Sequence, residues 1–323
     1  MKARLAATSF VLFIIISFCD KNPVDNSETK CPDEGPPTDP IEEPQPAFQL
    51  DLHPAWSPDG QWIAYTHFNS DSLPAKAYEF RLIDPESLEK RLVRYGISQS
   101  MDWFPSSDSL IVTSGDQLYI LGLDGLFRRQ LTTSGMNYFP DISHDGRWLA
   151  WDVNYWDIWL MNLETGETWP IQKDSKENGG AWRQPSWSPD DSFLVHIRYG
   201  DYAPQEGHET IYIMTRDGKT VKRLTFEAKE YLYPLWSPDG RRIAFASREC
   251  EWLRDVFIYD LETDEIKRVT FEGAEGFSWS PDGRNLVYSK YNAWVNSKRS
   301  GLLYILDVQT LEERQISFDE VAP

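Results

Sequence analysis

The side chains in this sequence that could carry out chemistry are histidines, acidic residues and one histidine–glutamate pair. The stretch GHETIY, Gly207–Tyr212, has the start of a His-Glu-x-x-His zinc motif, but Tyr212 stands where the second histidine is needed. A serine-hydrolase elbow of the form Gly-x-Ser-x-Gly does not occur in the sequence. The five histidines are scattered without metal-ligand spacing: His53, His67, His144, His196 and His208. The sequence therefore indicates no catalytic residue, no metal site and no cofactor.

A second group of candidates is a set of aspartates in the phrase Trp-Ser-Pro-Asp-Gly. In PLWSPDGRRIAF, Pro234–Phe245, Asp239 lies near Arg241 and Arg242, and this combination of charged residues resembles a catalytic patch. In a type I turn, however, Ser favours the first position, Pro the second and Gly the fourth, while Asp bonds neighbouring amides. We therefore predict that the aspartates of five copies are structural turn residues on separate parts of a ring: Asp59, Asp145, Asp190, Asp239 and Asp282.

The phrase belongs to a repeat. Six copies, some of them degenerate, align on Trp56, Trp103, Ile142, Trp187, Trp236 and Trp279, with spacings of 47, 39, 45, 49 and 43 residues. Each copy continues with an aromatic–aliphatic alternation such as DIWLMN or DVFIYD, then a turn and a short segment ending in Leu-Thr or a variant of it. Alternation with period two, bounded by turns, indicates half-buried strands. Four strands per repeat predict an all-β, six-bladed β-propeller with four antiparallel strands per blade over residues 48–323.

The repeat makes three further predictions about the propeller. Its tryptophan packs against the adjoining blade, because such repeats bury their faces only on neighbours. Asp191, which replaces the turn glycine in one copy, tolerates a left-handed backbone better than most residues. The ring closes either with residues 48–50 as an extra strand or through contacts between the first and last blades.

The N-terminal region differs from the repeats. Residues 1–18 have a basic start, Lys2 and Arg4, and then an apolar run that is typical of a secretory signal peptide. Cys19 follows directly, and Ile16–Cys19 is similar to a bacterial lipoprotein processing box, so we predict lipidation of Cys19, with ordinary secretion as the alternative. Residues 19–47 are acidic and rich in proline, which predicts a disordered tether.

The repeats resemble the WD40-like propeller repeats of the TolB family, in which the Trp-Ser-Pro-Asp-Gly phrase, the Ile-Tyr-type third strand and the Leu-Thr ending recur in this order. The resemblance covers roughly residues 50–318. Envelope scaffold proteins, propeller halves of serine peptidases and a few lyases share the repeat. Together with the predicted signal peptide and lipid anchor, the resemblance predicts a propeller of the cell envelope, secreted across the inner membrane and lying in the periplasm or on the outer membrane as a lipoprotein.

Charge and cysteines limit the partners. The chain has a net charge of -19, which makes nucleic acid and anionic headgroups poor partners and leaves membrane contact to a lipid anchor. Cys31 and Cys250 form a disulfide in an oxidising compartment or remain two free thiols. We expect a monomer that binds an envelope protein.

The candidate binding residues lie in the loops between the second and third strands of the blades. These loops combine Trp and Tyr with Arg, as binding hot spots do, and open on one face of a propeller. Four of them are predicted, over residues 67–79, 198–210, 248–255 and 290–301. We predict partner binding by Trp252, Trp294, Tyr202 and Arg254; the alternative is that the aromatic residues cover blade edges. The expected function is a non-catalytic binding or scaffold propeller. The alternative function is a metal-dependent polysaccharide lyase or another glycan-processing enzyme, with His or acidic side chains converging in the central funnel.

Overall fold

The structure is a computed structural model, and it describes residues 49–70, 72, 76–97, 100–171, 180–200, 208–227, 229–248, 253–295 and 298–318. All of these belong to one compact unit, Pro36–Pro323. Throughout these ranges the chain forms strands and turns and no α-helix. None of the same residues forms a helix long and apolar enough to cross a bilayer. The all-β prediction is confirmed for this part of the chain.

Twenty-four strands follow one another along the described residues. The first twelve are β1 (Gln49–Trp56), β2 (Ile63–Asn69), β3 (Tyr78–Ile83), β4 (Lys90–Tyr95), β5 (Met101–Trp103), β6 (Ser109–Ser114), β7 (Gln117–Gly122), β8 (Phe127–Gln130), β9 (Asn137–Ile142), β10 (Trp148–Val153), β11 (Asp157–Asn162) and β12 (Thr168–Pro170). The others are β13 (Ala181–Trp187), β14 (Phe193–Tyr199), β15 (Glu209–Thr215), β16 (Thr220–Arg223), β17 (Tyr231–Trp236), β18 (Arg242–Arg248), β19 (Arg254–Asp260), β20 (Ile266–Arg268), β21 (Ala274–Trp279), β22 (Asn285–Val295), β23 (Lys298–Asp307) and β24 (Glu313–Gln315).

The strands form propeller blades. Strands β5–β8, β9–β12, β13–β16 and β17–β20 are four separate four-stranded sheets, in each of which strands that are consecutive in sequence pair antiparallel. The remaining eight strands form one sheet, because β1 pairs with β23. That pairing is parallel and joins Gln49 to Ser300 and Leu50 to Gly301. The beginning of β1 therefore pairs with β23, near the end of the chain. This agrees, for residues 49 and 50, with the prediction that residues 48–50 act as an extra strand; Phe48 lies outside the described residues.

The Trp-Ser-Pro-Asp-Gly phrase forms the turn between the first and second strands. In the first copy, the Gly60 amide donates to the Ser57 carbonyl at 2.9 Å, and the Ser57 hydroxyl donates to Asp59 at 2.6 Å. The Asp59 carboxylate also accepts the Gln61 amide at 3.0 Å, so its hydrogen bonds stay within the turn. Four other copies repeat the serine–aspartate bond at 2.5 to 2.7 Å: Ser143–Asp145, Ser188–Asp190, Ser237–Asp239 and Ser280–Asp282. The prediction that these aspartates are structural is confirmed.

Two further parts of the repeat have structural roles. The indole N–H of Trp103 donates to the Ala55 carbonyl of the preceding blade at 3.0 Å, and Trp187 and Trp279 make the equivalent contact with Asp141 and Leu235. This confirms, for these three copies, that the tryptophan packs on the neighbouring blade; the Trp56 indole donates instead to the Gly60 carbonyl of its own turn. The closing Thr or Ser hydroxyl accepts an amide of the third strand at 2.8 to 2.9 Å in four copies: Thr132, Thr225, Thr270 and Ser317.

The hydrophobic core lies between successive sheets. One cluster packs Ala244 and Val256 of one blade against Trp279 and Leu286 of the next, and the other clusters repeat this arrangement. Successive side chains of a strand point to opposite faces of its sheet, so the apolar residues that alternate in the sequence lie on one face and pack against a neighbouring blade. The core therefore fixes the blades against each other and holds the strand ends, which carry the loops.

One predicted loop is wrong. The stretch 290–301 was expected to be an open loop between the second and third strands of its blade. Instead β22 and β23 continue through it as a ladder in which Tyr291 pairs with Gly301, Asn292 with Ser300 and Val295 with Lys298. The parallel pairing of β1 with Ser300 and Gly301 occupies the outer edge of β23 there and extends the sheet.

Candidate functional site

The alternating strands give the propeller two faces of different character. We call the side with the Trp-Ser-Pro-Asp-Gly turns the turn face. The opposite side, which we call the loop face, carries the loops between second and third strands and the connections between blades, because antiparallel strands alternate in direction. The aspartates of the turn motifs bond within their own turns, and the predicted binding residue Arg254 lies on the loop face.

The structure places one of the predicted site residues directly. Arg254 begins β19 on the loop face, with its side chain 27% exposed. Trp294 lies in β22, in its final part, residues 291–295, which is described for its backbone alone. Tyr202, Trp252 and the lipidation candidate Cys19 lie outside the described residues, as do Cys31 and Cys250. Partner binding by these residues and the disulfide stay predictions.

Arg254 is part of an ion-pair network. Its guanidinium donates to both oxygens of Glu230, at 2.9 and 3.2 Å, and Arg248 binds the same carboxylate at 3.0 Å. Arg248 and Arg254 face each other at the end of the β18–β19 ladder. Burial of Glu230 favours its neutral form, but the hydrogen bond and charge of Arg254, with Arg248 and Arg183, outweigh this and lower its pKa.

The network continues into the preceding blade. Arg183, near the start of β13, binds Glu209 at 2.7 Å, and the second oxygen of Glu209 accepts the Tyr231 amide at 2.9 Å. Glu209 is buried, which raises its pKa to about 7 although Arg183 opposes the shift. Glu209 thus forms a buried ion pair with Arg183 and links this blade to the next through its second oxygen.

Asp152, at the end of β10, is the most unusual charged residue nearby. It is fully buried, and neither carboxylate oxygen has a hydrogen-bond partner of ordinary geometry among the described residues. Burial raises its pKa to about 7; Arg183 and the amides of Tyr155 and Gln184 lower it by less. The blade of Asp152 thus contributes a second carboxylate that is influenced by Arg183.

Aromatic side chains meet at the inner strands. The rings of Phe139 in β9 and Tyr233 in β17 lie 5.8 Å apart, although strand β13 stands between them in the order of the blades. Both residues have positive φ, 51° and 56°, as does Gln184 of β13, which accepts the Tyr233 amide at 2.7 Å. Left-handed backbone is unusual for such bulky residues and here turns both rings toward one another.

Two aspartates also lie on the inner strands. Asp102 accepts the Ile142 amide at 2.6 Å, and Asp141 accepts the Trp187 amide at 2.8 Å, so each links its own inner strand to the next. Burial raises the pKa of Asp102 to about 6, and burial with the neighbouring charge of Asp102 raises that of Asp141. The alternative function, a glycan-processing enzyme, requires acidic side chains that lie close together, and Asp102 and Asp141 do so. Their hydrogen bonds, however, connect one blade to the next.

The histidines do not converge in the described part of the chain. His67 bonds Asp51 at 2.7 Å inside one blade, and His144 bonds Asp191 on the turn face. His196 is buried and stacks on Trp182 with ring centroids 4.4 Å apart; burial lowers its pKa to about 3, so it is neutral. Within the described ranges, no group of three or more His, Cys, Asp or Glu side chains is arranged to hold a metal ion.

Sequence reasoning missed Asp152, Arg183, Glu209 and Glu230. A signal for Asp152 was present, since counting ten residues from the aligning position gives Thr66, Thr113, Asp152, Ile197, Ala246 and Ser289 in the six copies. All six are buried, and Asp152 is the one charged residue among them. The others could not be found in this way, because they converge from different blades.

The fold and this face define a β-propeller whose candidate site is a surface of loops and paired charges. Its sequence matches the family model described as the TolB beta propeller domain over residues 117–319, which is more than half of the chain. The chain therefore belongs to the TolB β-propeller family.

Individual relatives agree with this assignment. An uncharacterised protein of Agrobacterium fabrum is 25% identical over 260 residues, covering 74% of this chain and 84% of the relative. The Tol-Pal system protein TolB of Alcanivorax borkumensis is 38% identical over 73 residues, covering 22% of this chain and 17% of that protein.

Solved structures share the fold. TolB from Acinetobacter baumannii superposes with a TM-score of 0.66 at 24% identity, covering 79% of this chain and 63% of that one. An oligogalacturonate lyase in complex with manganese has a TM-score of 0.55 at 15% identity, covering 86% of this chain and 80% of the lyase. At these identities the likeness concerns the fold alone.

Proposed function

We propose that this protein is a non-catalytic binding propeller of the bacterial cell envelope, which holds a protein partner on its loop face. The observation that carries the proposal is the cluster of partly exposed charged side chains at the loop end of β18 and β19, where Arg248 and Arg254 pair with Glu230. The turn-face carboxylates, by contrast, are bonded within their own turns. Membership of the TolB β-propeller family and the similarity to a Tol-Pal system protein support an envelope role.

The propeller in this proposal has six blades, with β1–β4 and β21–β24 as the first and last. Contacts between neighbouring turns support this count. A Cβ atom at Gly60 would lie 3.8 Å from Pro281, and Gly146, Gly240 and Gly283 approach the turn proline of their preceding blades in the same way, at 3.7 to 3.8 Å. Where the glycine is replaced, the side chain bonds the preceding turn: Ser107 accepts the Asp59 amide, and Asp191 accepts the amides of His144 and Asp145. These contacts form an unbroken series of six.

The inner strands support closure as well. The first strands of neighbouring blades contact each other from β1 through β5, β9, β13 and β17, and β1 also contacts β21. The Trp56 amide donates to the Ser278 hydroxyl at 3.1 Å, as the Ile142 and Trp187 amides donate to Asp102 and Asp141. The same bond thus joins the last blade to the first and one blade to the next within the chain.

Attachment to the membrane is the second part of the proposal. Secretion through residues 1–18 and acylation of Cys19 would hold the propeller at the envelope by the segment 19–47, as a monomer. We expect a Cys19→Ser variant to leave the membrane fraction and appear in the soluble periplasmic fraction, while its propeller keeps the same thermal unfolding transition. A variant that stays with the membranes would contradict lipid anchoring.

The binding role is tested by cross-linking and pull-down from envelopes. The full chain is compared with a Trp252→Ala/Trp294→Ala variant and with Arg284→Ala, whose side chain is 81% exposed on the turn face. We expect a specific protein with the native chain and with Arg284→Ala, and its loss with the double variant. Far-UV circular dichroism and thermal unfolding check that all three are folded.

Two results would contradict the proposal. A partner retained equally by all variants would remove the predicted tryptophans from the site. If nothing specific is recovered with the native chain, the binding role fails, and binding of divalent metals and acidic polysaccharides becomes the next measurement.

A further inference from the structure

Three exposed apolar side chains lie close together on the loop face of the blades β5–β8 and β9–β12. Tyr155 and Trp156 belong to the hairpin between β10 and β11, and Met136 belongs to the connection from β8 to β9. They are 37%, 39% and 40% exposed, respectively. The two loops adjoin, because the Asn154 amide donates to the Met136 carbonyl at 2.7 Å and the Met136 amide donates to the Asn154 side chain at 3.0 Å. We call Met136, Tyr155 and Trp156 the apolar platform.

Contacts with two neighbouring blades support the apolar platform. The Tyr155 ring stacks on Tyr138 of β9 with the ring centroids 4.9 Å apart, and the Tyr138 hydroxyl donates to Asp116 of the preceding blade. On the other side, the Trp156 carbonyl accepts the Trp182 amide of the following blade at 2.8 Å. The hairpin is thus fixed before any ligand arrives, and binding to it orders few additional groups.

The backbone of the hairpin is unusual at Tyr155. Asn154 and Tyr155 have φ values of 57° and 59°, a left-handed conformation that Asn tolerates better than Tyr does. Glycine would form the same turn with less strain. Strained residues that persist in a fold cluster at ligand contacts, so the position of Tyr155 indicates a binding role.

The chain itself contains a segment with the composition that such a surface binds. Residues 36–46, which we call the proline segment, have the sequence PPTDPIEEPQP, with five prolines among eleven residues. Proline favours the polyproline II helix, which is extended and already restricted before it binds. Aromatic-lined surfaces recognise that helix at a low entropic cost.

A polyproline II helix separates the apolar residues of the proline segment from most of its charges. The helix has about three residues per turn, so residues three apart share an edge. Two of its edges are largely apolar: Pro37, Pro40 and Pro46 on one, Ile41 and Pro44 on the next. Asp39 and Glu42 share the third edge, and Glu43 lies on the first. The two apolar edges can therefore face aromatic rings while the third edge faces water.

The proline segment starts on the face that carries the apolar platform. β1 runs from Gln49 to Trp56 at the first turn, so Gln49 and the residues before it lie on the loop-face side. β1 contacts β5, and β5 contacts β9. Because neighbouring sheets pack about 10 Å apart, β9 is about 20 Å from β1. Ten residues of polyproline II span about 31 Å, which is enough to reach the platform.

We propose that the proline segment docks on the apolar platform of its own chain. Proline rings pack against the faces of Tyr155 and Trp156, and Met136 extends the apolar contact. Docking covers part of the loop face, so a protein that uses the platform must displace the segment. The inference requires neither the lipid anchor nor a particular partner.

Hydroxyl-radical footprinting of the full chain tests the docking, because Met, Tyr and Trp side chains are oxidised readily where they are exposed. The native chain is compared with Pro37→Ser/Pro40→Ser/Pro44→Ser, and mass spectrometry measures oxidation of the apolar platform. We expect about three- to fivefold more oxidation of the platform in the triple variant, because the weakened segment leaves the rings exposed more of the time.

A matched variant and an internal reference control this measurement. Pro23→Ser/Pro32→Ser changes prolines outside the proline segment and should leave platform oxidation as in the native chain. Phe226, 67% exposed on another blade, should be oxidised equally in all three proteins. Equal oxidation of the platform in the native chain and the triple variant would overturn the inference.

The reciprocal variant changes the platform. Tyr155→Gly removes the ring and keeps the turn, because glycine adopts a φ of 59° without strain. A glutamate-specific protease should then cut after Glu42 about three- to fivefold faster than in the native chain, since cleavage follows the undocked population. Cleavage after Glu28, outside the segment, and the Phe226→Ala variant should show no change. Equal cleavage after Glu42 in the native chain and Tyr155→Gly, with both folded by thermal unfolding, would contradict docking.

Failure of the docking is distinguishable from failure of the binding role. If the platform of the native chain is as reactive as in the triple variant and becomes protected only when envelope proteins are added, the docking is wrong and the binding role stands. If footprinting and proteolysis show docking but pull-down recovers no envelope protein, the docking stands and the proposed role fails.

Discussion

Replacing Asp152 with asparagine should stabilise the protein, and the gain should grow with pH. Asp152 is fully buried, its carboxylate oxygens are without ordinary hydrogen-bond partners in the described structure, and burial raises its pKa from 3.8 to about 7. Below pH 4 the carboxyl is protonated in the native and unfolded states and contributes nothing to the pH dependence. Between pH 4 and pH 7 the unfolded chain loses the proton while the native state keeps it, so the free energy of unfolding falls as pH rises.

The size of the effect follows from the shift. Each pKa unit corresponds to about 1.36 kcal/mol, so the native protein loses about 4 kcal/mol through this group between pH 4 and pH 8. Asparagine has nearly the same shape and does not ionise. The advantage of Asp152→Asn over the native chain should therefore be about 3 kcal/mol larger at pH 8 than at pH 5.

The measurement is urea unfolding of the native protein and of Asp152→Asn at pH 5 and pH 8, followed by tryptophan fluorescence. Any constant difference in packing between Asp and Asn cancels when the two pH values are compared. Asp108→Asn is the control, because hydrogen bonds from Ser109 and Ser106 lower the pKa of the exposed Asp108, so its loss should reduce stability above pH 4. Parallel stability–pH curves for the native chain and Asp152→Asn would refute the reasoning.

Three further predictions concern the blade contacts and their core. Asp191→Ala should lower the free energy of unfolding, measured by urea unfolding, by about 2–3 kcal/mol. The variant loses the hydrogen bonds from two amides of the preceding turn, and its Ala must adopt the unfavourable positive φ of 57° found at this position. Asp191→Gly, measured alongside, should be more stable than Asp191→Ala by about 1 kcal/mol, and equal values would show that the backbone conformation contributes nothing. Trp187→Ala should lower the free energy of unfolding by about 3–5 kcal/mol in the same assay, because the indole is buried between two blades. A decrease below about 1 kcal/mol would contradict that packing.

The fold could be predicted from the sequence because its determinants are local and repeated. The turn phrase places Ser, Pro, Asp and Gly where a type I turn needs them, and the bond from Ser57 to Asp59 spans two residues. The replacement of glycine by Asp191 could be interpreted for the same reason, and its φ of 57° confirms that interpretation. The loop predicted over 290–301 failed because pairing with β1, more than two hundred residues away in sequence, extends those strands.

The charged network could not be predicted, because its members are close only after the blades assemble. Arg183 and Glu230 lie in different repeats, and each reads in sequence as an ordinary solvated charge. Burial between blades changes their chemistry, since Glu209 loses water and its pKa rises to about 7. Arg254 was selected for its place in a loop of binding composition; in the structure it pairs with Glu230, which also binds Arg248, and its role in partner binding stays a prediction.

The repeat itself explains why such a network arises at one place on the ring. At the position of Asp152 the other copies carry Thr, Ile, Ala or Ser, which pack between blades without charge. A buried carboxylate there destabilises the blade interface unless a cation compensates, and Arg183 is the cation whose charge lowers its pKa. The charge of Arg183 thus lowers the pKa of both Asp152 and Glu209. Substitution of one repeat position thus creates, in a repetitive scaffold, a charged contact between two blades in place of the uncharged packing of the other copies.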